Sequence, residues 1–343
     1  MKIRQRSGVD ERVGGEAVLI SDADVRDNWT MKGCVQAVER AYELAGQGAV
    51  SVTTRQQVSV QGGPRLLTLS AGSAELGCMV SLAYSARPVG EDRRWSSLRC
   101  PEKVITVFDV GTGACIGVMG ANYLLWQFTG ATGAVAIKHL SDPAATSIAF
   151  VGSGMQARSA LLGALEVRDI SRVYVWSPHQ VNAERFAVDF RDRVDVTVVA
   201  TVREAVAPAD LIVTVTTSGE PVLLGQDFVG YPHINAIGAH YPARREVDSS
   251  VVQRCSVFVD DRRQARTEKG DLLLAEKEGM FSFDDVEADL GEVVASGHPW
   301  RSPTRPTLFA SCGSGVELLG ATWGVLASLG GLSPSQFPFQ GRP

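Results

Sequence analysis

TSIAFVGSGMQARSALLGAL, residues 146–165, decides how this chain folds. The apolar run Ser147–Val151 reads as a short buried strand, and Ala160, Leu161, Ala164 and Leu165 recur at helical spacing. Between them stands Gly152-Ser153-Gly154-Met155-Gln156-Ala157, a GxGxxA turn. At a strand-to-helix junction each small residue has its own part: Gly152 makes the turn, Gly154 lets the main chain approach a pyrophosphate, and Ala157 lets helix and strand pack closely. The free amides and positive dipole end of the helix then face the phosphates. In a chain with 35 glycines such a string is weak alone, so its surroundings carry the reading.

Downstream, strands over Arg172–Trp176, Val194–Ala200, Leu211–Val215, His233–Ile237 and Ser256–Val259 alternate with helical segments such as Val181–Phe190. Regular βα alternation predicts a Rossmann-type, doubly wound parallel sheet with right-handed crossovers. Upstream the style differs. Ala17–Ile20 is a short strand, Ser21-Asp22-Ala23-Asp24 a helix cap, and Met31–Ala45 an amphipathic helix. Alternating segments around Val50–Val60, Arg65–Leu69, Met79–Ala83 and Val104–Asp109 predict an antiparallel sheet, with turns at Gly62-Gly63-Pro64 and Gly111-Thr112-Gly113. Asn122–His139 is the next helix, and Thr307–Leu332, with Glu317 its only charge, reads as one buried helix returning to the first sheet. The expected organisation is an α/β chain of two lobes. Residues 126–304 form the dinucleotide-binding domain, and residues 1–125 with 305–343 form an α+β lobe for substrate and dimerisation.

A net charge of −5 with 21% charged residues calls for neither nucleic acid nor an anionic membrane as partner. Val110–Ile137 carries no charge and is long enough to span a bilayer, but its glycines, Asn122 and Gln127 favour a strand, a turn and a buried helix. The N-terminus has basic residues without an apolar segment behind them, so the first fifteen residues read as an extension rather than a signal. Six scattered cysteines without a CxxC pair argue against a metal site or a disulfide framework, and a reducing cytoplasm is the expected setting.

The strand Arg172–Trp176 is followed by Ser177, Pro178, His179 and Gln180. An NAD site places a carboxylate there, about 20 residues past the glycines, to hold the ribose 2′-OH. None occurs before Glu184, and Ser177 and His179 can donate to a 2′-phosphate, so NADP(H) is favoured and NAD(H) stays open. Thr216, Thr217 and Ser218 follow the strand that ends at Val215, where cofactor contacts collect.

With these elements in place the chain resembles the ornithine cyclodeaminase/mu-crystallin family of NAD(P)-dependent enzymes. The resemblance rests on FDVGTGACIGVMGANYLLWQFTGATGA, VGSGMQAR, TVTTSGEPVL, INAIGAHYPARREVD, VFVDDRRQARTEKGDL, DLGEVVASGHP and TLFASCGSGVELL. It implies a homodimer of two-lobed subunits and a basic set that binds a substrate carboxylate. Arg55 matches the family's first arginine, whereas Met79 stands at its lysine, Phe128 at its second arginine, and His240 at the catalytic aspartate of cyclodeaminases. Lysine to methionine and arginine to phenylalanine exchange charge for soft apolar surface. A carboxylate bound in the family's way would lose contacts worth roughly 1.5–3 kcal/mol each.

His240 and Arg55 are therefore the candidate catalytic residues, with Met79, Phe128 and Arg87 lining the substrate pocket; Arg93 is a further source of a carboxylate contact. His240 can deliver a proton as hydride reaches the neighbouring carbon, or it can simply pack against the cofactor. The leading expectation is an NAD(P)H-dependent reductase or dehydrogenase acting on the C=N bond of an imine, ketimine or cyclic imine. Its alternatives are a cyclodeaminase-type lyase with tightly bound NAD, and a non-catalytic protein that binds NADPH and a small molecule.

Overall fold

The structure is a computed structural model and describes residues 16–61, 63–86, 102–301, 304–329 and 336–338. The N-terminal extension, Gly62, Arg87 and Arg93 lie outside the described residues. The chain divides into two compact units, one of residues 1–128 and 314–343, the other of residues 129–313.

The first unit opens with β1 (Glu16–Ile20), α1 (Asp22–Asn28) and α2 (Met31–Gly46). Next come β2 (Ser51–Val52), β3 (Gln56–Ser59), β4 (Arg65–Ser73), β5 (Cys78–Ala86), β6 (Lys103–Asp109) and β7 (Cys115–Gly120). Helix α3 (Asn122–Leu140) contains the division between the units. Ser21 caps α1 by accepting from the Asp24 amide while the Asp24 carboxylate accepts from Ser21, so the cap expected from the sequence is a full capping box.

The second unit continues with β8 (Ser147–Val151), α4 (Met155–Val167), β9 (Arg172–Trp176), α5 (Gln180–Phe190) and β10 (Asp195–Val198). It proceeds through α6 (Val202–Val206), β11 (Leu211–Thr214), β12 (His233–Ala236), α7 (Ser249–Arg254) and β13 (Ser256–Val259). Then follow α8 (Arg262–Glu268), α9 (Gly270–Lys277), β14 (Val286–Asp289), α10 (Leu290–Ser296) and β15 (Thr307–Ala310). The chain returns to the first unit with α11 (Gly315–Ser328) and β16 (Gln336–Pro338).

In the first unit the strands order β16-β1-β7-β6-β5-β4-β2, with β3 also on β4. All neighbours are antiparallel except β1 and β7, which makes the sheet mixed rather than purely antiparallel. Strand alternation separates its faces. Leu69, Ala71, Val80, Leu82, Ile105, Val107 and Met119 are buried on one, together with the apolar stripe of α2 and the apolar helix α11. The other face carries Leu19, Val58, Leu66, Met79 and Val104, all substantially exposed.

The second unit holds a parallel sheet in the order β10-β9-β8-β11-β12-β15-β13-β14. Each of its faces has its own apolar core. Ile148, Phe150, Val173, Val175, Leu211 and Val213 meet Leu161 and Phe186 on one side. Ala149, Val151, Ile212, Ile234, Val257 and Leu308 meet Phe228, Val251 and Leu272 on the other. Packing on both faces defines the doubly wound fold and explains the continuous apolar strands.

One further expectation needs correction. Thr307–Ala310 is not the start of a helix but the fully buried strand β15, inserted between β12 and β13. A four-residue apolar run carries no periodicity to distinguish strand from helix. His233 opens the strand expected at His233–Ile237: it is the first residue of β12 and almost wholly buried. Among the described residues no helix is long and apolar enough to cross a membrane. Nor does any group of three or more His, Cys, Asp and Glu residues among them gather as a metal site.

Candidate functional site

The carboxyl ends of β8, β9, β11 and β12 lie side by side, and the sequence candidates of the second unit converge there. Gly152 leaves β8 at φ +109°, its amide donating to the Trp176 carbonyl at the end of β9 (2.9 Å). A Cβ at this position would sit 2.6 Å from the Val215 carbonyl oxygen, so the turn accepts only glycine. Gly154 is different. Its backbone is extended, it caps α4 with no side-chain hydrogen bond, and a Cβ there would meet nothing within 4 Å.

The space above Gly154 at the start of α4 is therefore open. Gln156 Oε1, in the first turn of α4, is buried with no hydrogen-bond partner among the described residues. Open helix amides, a glycine with space above it and an orphaned polar atom fit the diphosphate of a dinucleotide. Ser153 is buried, Met155 exposed, and Ala157 fully buried in the core under β8. Arg158 braces the turn by donating to the Ser153 and Gly154 carbonyls (2.6 and 3.1 Å), and it pairs with Asp189 at 2.7 Å.

Ser177 and His179 follow β9, where His179 caps α5 without a side-chain bond. Glu184 is engaged by Gln180, whose amide donates to it at 2.9 Å. After β11, Thr216 Oγ1 accepts from the Ser218 amide (3.1 Å), Ser218 donates to the Glu220 carbonyl (2.8 Å), and Arg244 donates to the Thr217 carbonyl (2.8 Å). His240 stands beyond the end of β12. Its Nδ1–H donates to the Gly238 carbonyl (3.3 Å) and its ring lies 4.4 Å from that of Tyr241. In the neutral ring that bond fixes the lone pair on Nε2.

Three buried acids organise this edge, and reading along the sequence missed their roles. Asp260, at the end of β13, accepts from Ser311 Oγ and from the Cys312 and Gly313 amides at 2.8, 2.9 and 2.6 Å, which ties it to the loop after β15. Glu246 and Asp271 form a second group with Lys269. In the sequence they stand among other charged residues with nothing to single them out, and the groups they contact lie far away along the chain.

The other candidates belong to the first unit. Arg55 is half-buried in the connection from β2 to β3. Met79 is 41% exposed on the open sheet face, in register with Phe108 of β6 and Gly72 of β4. Phe128 is buried in α3.

A doubly wound parallel sheet whose glycine turn opens a helix defines the class: a Rossmann-type fold of the dinucleotide-binding kind. The chain belongs to the ornithine cyclodeaminase/mu-crystallin family, whose model matches residues 16–330. Ketimine reductase mu-crystallin of Rattus norvegicus is 36% identical over 213 residues, which cover 62% of this chain and 65% of the rat protein. Among solved structures, Delta(1)-pyrroline-2-carboxylate reductase of Thermococcus litoralis, in complex with NADH and L-proline, superposes with a TM-score of 0.84. It is 27% identical and covers 91% of this chain and 97% of its own. An archaeal alanine dehydrogenase dimer with bound NAD gives a TM-score of 0.87 at 26% identity, covering 95% of this chain and 100% of that one.

Proposed function

We propose that the protein is an NAD(P)H-dependent reductase of C=N bonds, acting on an imine, ketimine or cyclic imine. The carrying observation is the open glycine turn at Gly152–Ala157, on the same sheet edge as His240. The ketimine reductase and pyrroline-2-carboxylate reductase relatives support this chemistry. When bound, the reduced nicotinamide supplies a hydride to the imine carbon.

This chain's residues do the rest. Gly152, Ser153, Gly154, Met155, Gln156 and Ala157 hold the diphosphate, and Thr216, Thr217 and Ser218 hold the ribose next to it. His240, in its imidazolium form with Nδ1–H held by the Gly238 carbonyl, gives its Nε2 proton to the imine nitrogen. Ser177 and His179 face the adenosine ribose without a carboxylate, which favours NADP(H) over NAD(H). Met79 and Phe128 make the substrate side more apolar than the family's basic set, with Arg55 as the remaining cation.

The termini form the substrate and dimerisation lobe in this reading. Leu19, Val58, Leu66 and Val104 give its sheet an exposed apolar face suited to a second copy, and the archaeal relative's dimer supports that assembly. The test is direct. Purified protein receives NADPH or NADH with a panel of cyclic and linear imines while absorbance of the reduced nicotinamide is followed. Substrate-dependent oxidation is expected, and none across a broad panel overturns the reading.

A further inference from the structure

Glu246 lies in the loop after β12 and is wholly buried, yet its carboxylate reaches the exits of two neighbouring strands. Oε1 accepts from the Thr216 amide just beyond β11 (2.5 Å), and Oε2 accepts from the Gly238 amide just beyond β12 (2.6 Å). Thr214 Oγ1 adds a third donor at 3.1 Å. One side chain thus sets the separation of the two segments that carry Thr216–Ser218 and His240.

Lys269, also wholly buried, holds the same segment from its other side. Its ammonium donates to the Ala236 and Ala239 carbonyls at 2.9 and 3.0 Å, bracketing Gly238. Asp271 closes the group: it pairs with Lys269 at 2.9 Å and accepts from the Glu246 and Val247 amides at 2.7 and 3.0 Å. Gly238 completes the fit, since a Cβ there would stand 2.5 Å from both the Glu246 carboxyl and the Thr216 carbonyl oxygen.

Burying two carboxylates around one ammonium is costly. Burial and the neighbouring Asp271 push the Glu246 carboxyl above its ordinary range, against the pull of Lys269 and of the Thr216 bonds. An apolar filler would serve packing alone at lower cost, but it could not accept from two amides at once. A dinucleotide on such a sheet runs from the β9 side across the glycine turn toward β11 and β12. The charged group underlies only the far end of that path.

We propose that Glu246, braced by Lys269 and Asp271, is a positioning residue for the nicotinamide half of the cofactor site. It fixes the spacing between the Thr216–Ser218 loop and the His240 segment. This rests on the dinucleotide reading above.

The test uses the full-length protein and Glu246→Gln, whose amide turns an N–H donor toward one of the two main-chain amides. Affinity is measured for NADPH, for NADH and for ADP-ribose with and without a 2′-phosphate, fragments that lack the nicotinamide. The better whole cofactor should bind about tenfold more weakly, while the matching fragment stays within about twofold of wild type. A merely structural role would weaken both together. Equal losses, or none, overturn the inference with the dinucleotide reading intact. Failure of wild type to bind any of the four ligands overturns that reading and the inference with it. Should Glu246→Gln fail to fold, Gly238→Ala pushes on the same carboxylate from the other side and must give the same split; if it does not, the inference falls.

Discussion

His233 Nδ1 and Thr307 Oγ1 meet at 2.8 Å across β12 and β15, in register and with almost no solvent access to either residue. Asn235 donates through Nδ2 to the Gly133 carbonyl (3.0 Å), so its Oδ1 faces the His233 Nε2–H at 2.9 Å. In the neutral ring Nδ1 carries the lone pair and faces Thr307 Oγ1, which also lies 3.2 Å from the Leu140 carbonyl oxygen. The imidazole is held neutral. Burial, with a smaller contribution from Arg168, lowers its pKa to about 4 from 6.5, against the opposing Asn235 bond.

Stability should therefore begin to fall at a higher pH than carboxylate protonation alone would cause. The folded pKa lies below the unfolded one, so between about pH 6.5 and 4 the unfolded chain binds the extra proton. The contribution is whole above 6.5 and is lost as pH falls toward 4, amounting to roughly 3 kcal/mol at about 1.4 kcal/mol per unit. Urea unfolding at pH 7.0, 5.5 and 4.5, compared with His233→Gln, checks it. A variant with the same pH slope as wild type contradicts the assignment.

The two glycines of the turn should separate folding from binding. Gly152→Ala forces a side chain at φ +109° against the Val215 carbonyl and should cost about 1–3 kcal/mol as well as cofactor affinity. Gly154→Ala meets no protein atom and should leave thermal unfolding unchanged. In the proposed site its methyl would stand where the diphosphate binds, so dinucleotide affinity should drop about tenfold or more. Melting curves and a cofactor titration on both variants measure the contrast.

His240→Asn should keep cofactor affinity within about twofold and lower turnover by about 10²–10⁴, the range for loss of a general acid. Steady-state rates with the best imine, beside a cofactor titration, decide it. Unchanged turnover would leave His240 a packing residue.

Met79→Lys places a cation where the resemblance implies that the family has one. The side chain is 41% exposed, so the substitution should not disturb folding. KM for carboxylate-bearing imines should fall about tenfold or more relative to uncharged imines, following one charge-assisted hydrogen bond. Parallel kinetics on matched substrate pairs reveal whether the preference moves.

In the first unit, the buried Tyr42 hydroxyl donates to Glu317 Oε2 at 2.5 Å, joining α2 to the start of α11. The same carboxylate accepts from the amide and hydroxyl of Ser314, both at 2.9 Å. Tyr42→Phe should cost about 1–3 kcal/mol, because a buried charged acceptor loses one of its donors. Denaturant midpoints report it.

Much of the fold was legible because its signals are local. Ser256–Val259 and Arg172–Trp176 were read with their observed bounds, since each is a short apolar or β-branched run between turn residues. Helix α2 showed its buried stripe in the spacing of Val35, Val38, Ala41 and Leu44. Thr307–Ala310 escaped because its apolar run leads into the apolar α11, and only pairing with β12 and β13 makes it a strand.

By itself, the sequence determined that a strand, a glycine turn and a helix follow one another at residues 147–167, because φ freedom and helix spacing belong to neighbours in the chain. Its resemblance to the family implies, further, that Met79, Phe128 and His240 stand where the family's charged residues do. Only the tertiary structure decided which groups Glu246, Lys269, Asp271 and Asp260 meet. Their partners lie at Thr216, Gly238, Ala236, Ala239 and Ser311–Gly313, and a buried charge is satisfied by whatever groups the fold brings within hydrogen-bond reach, whatever their place in the chain.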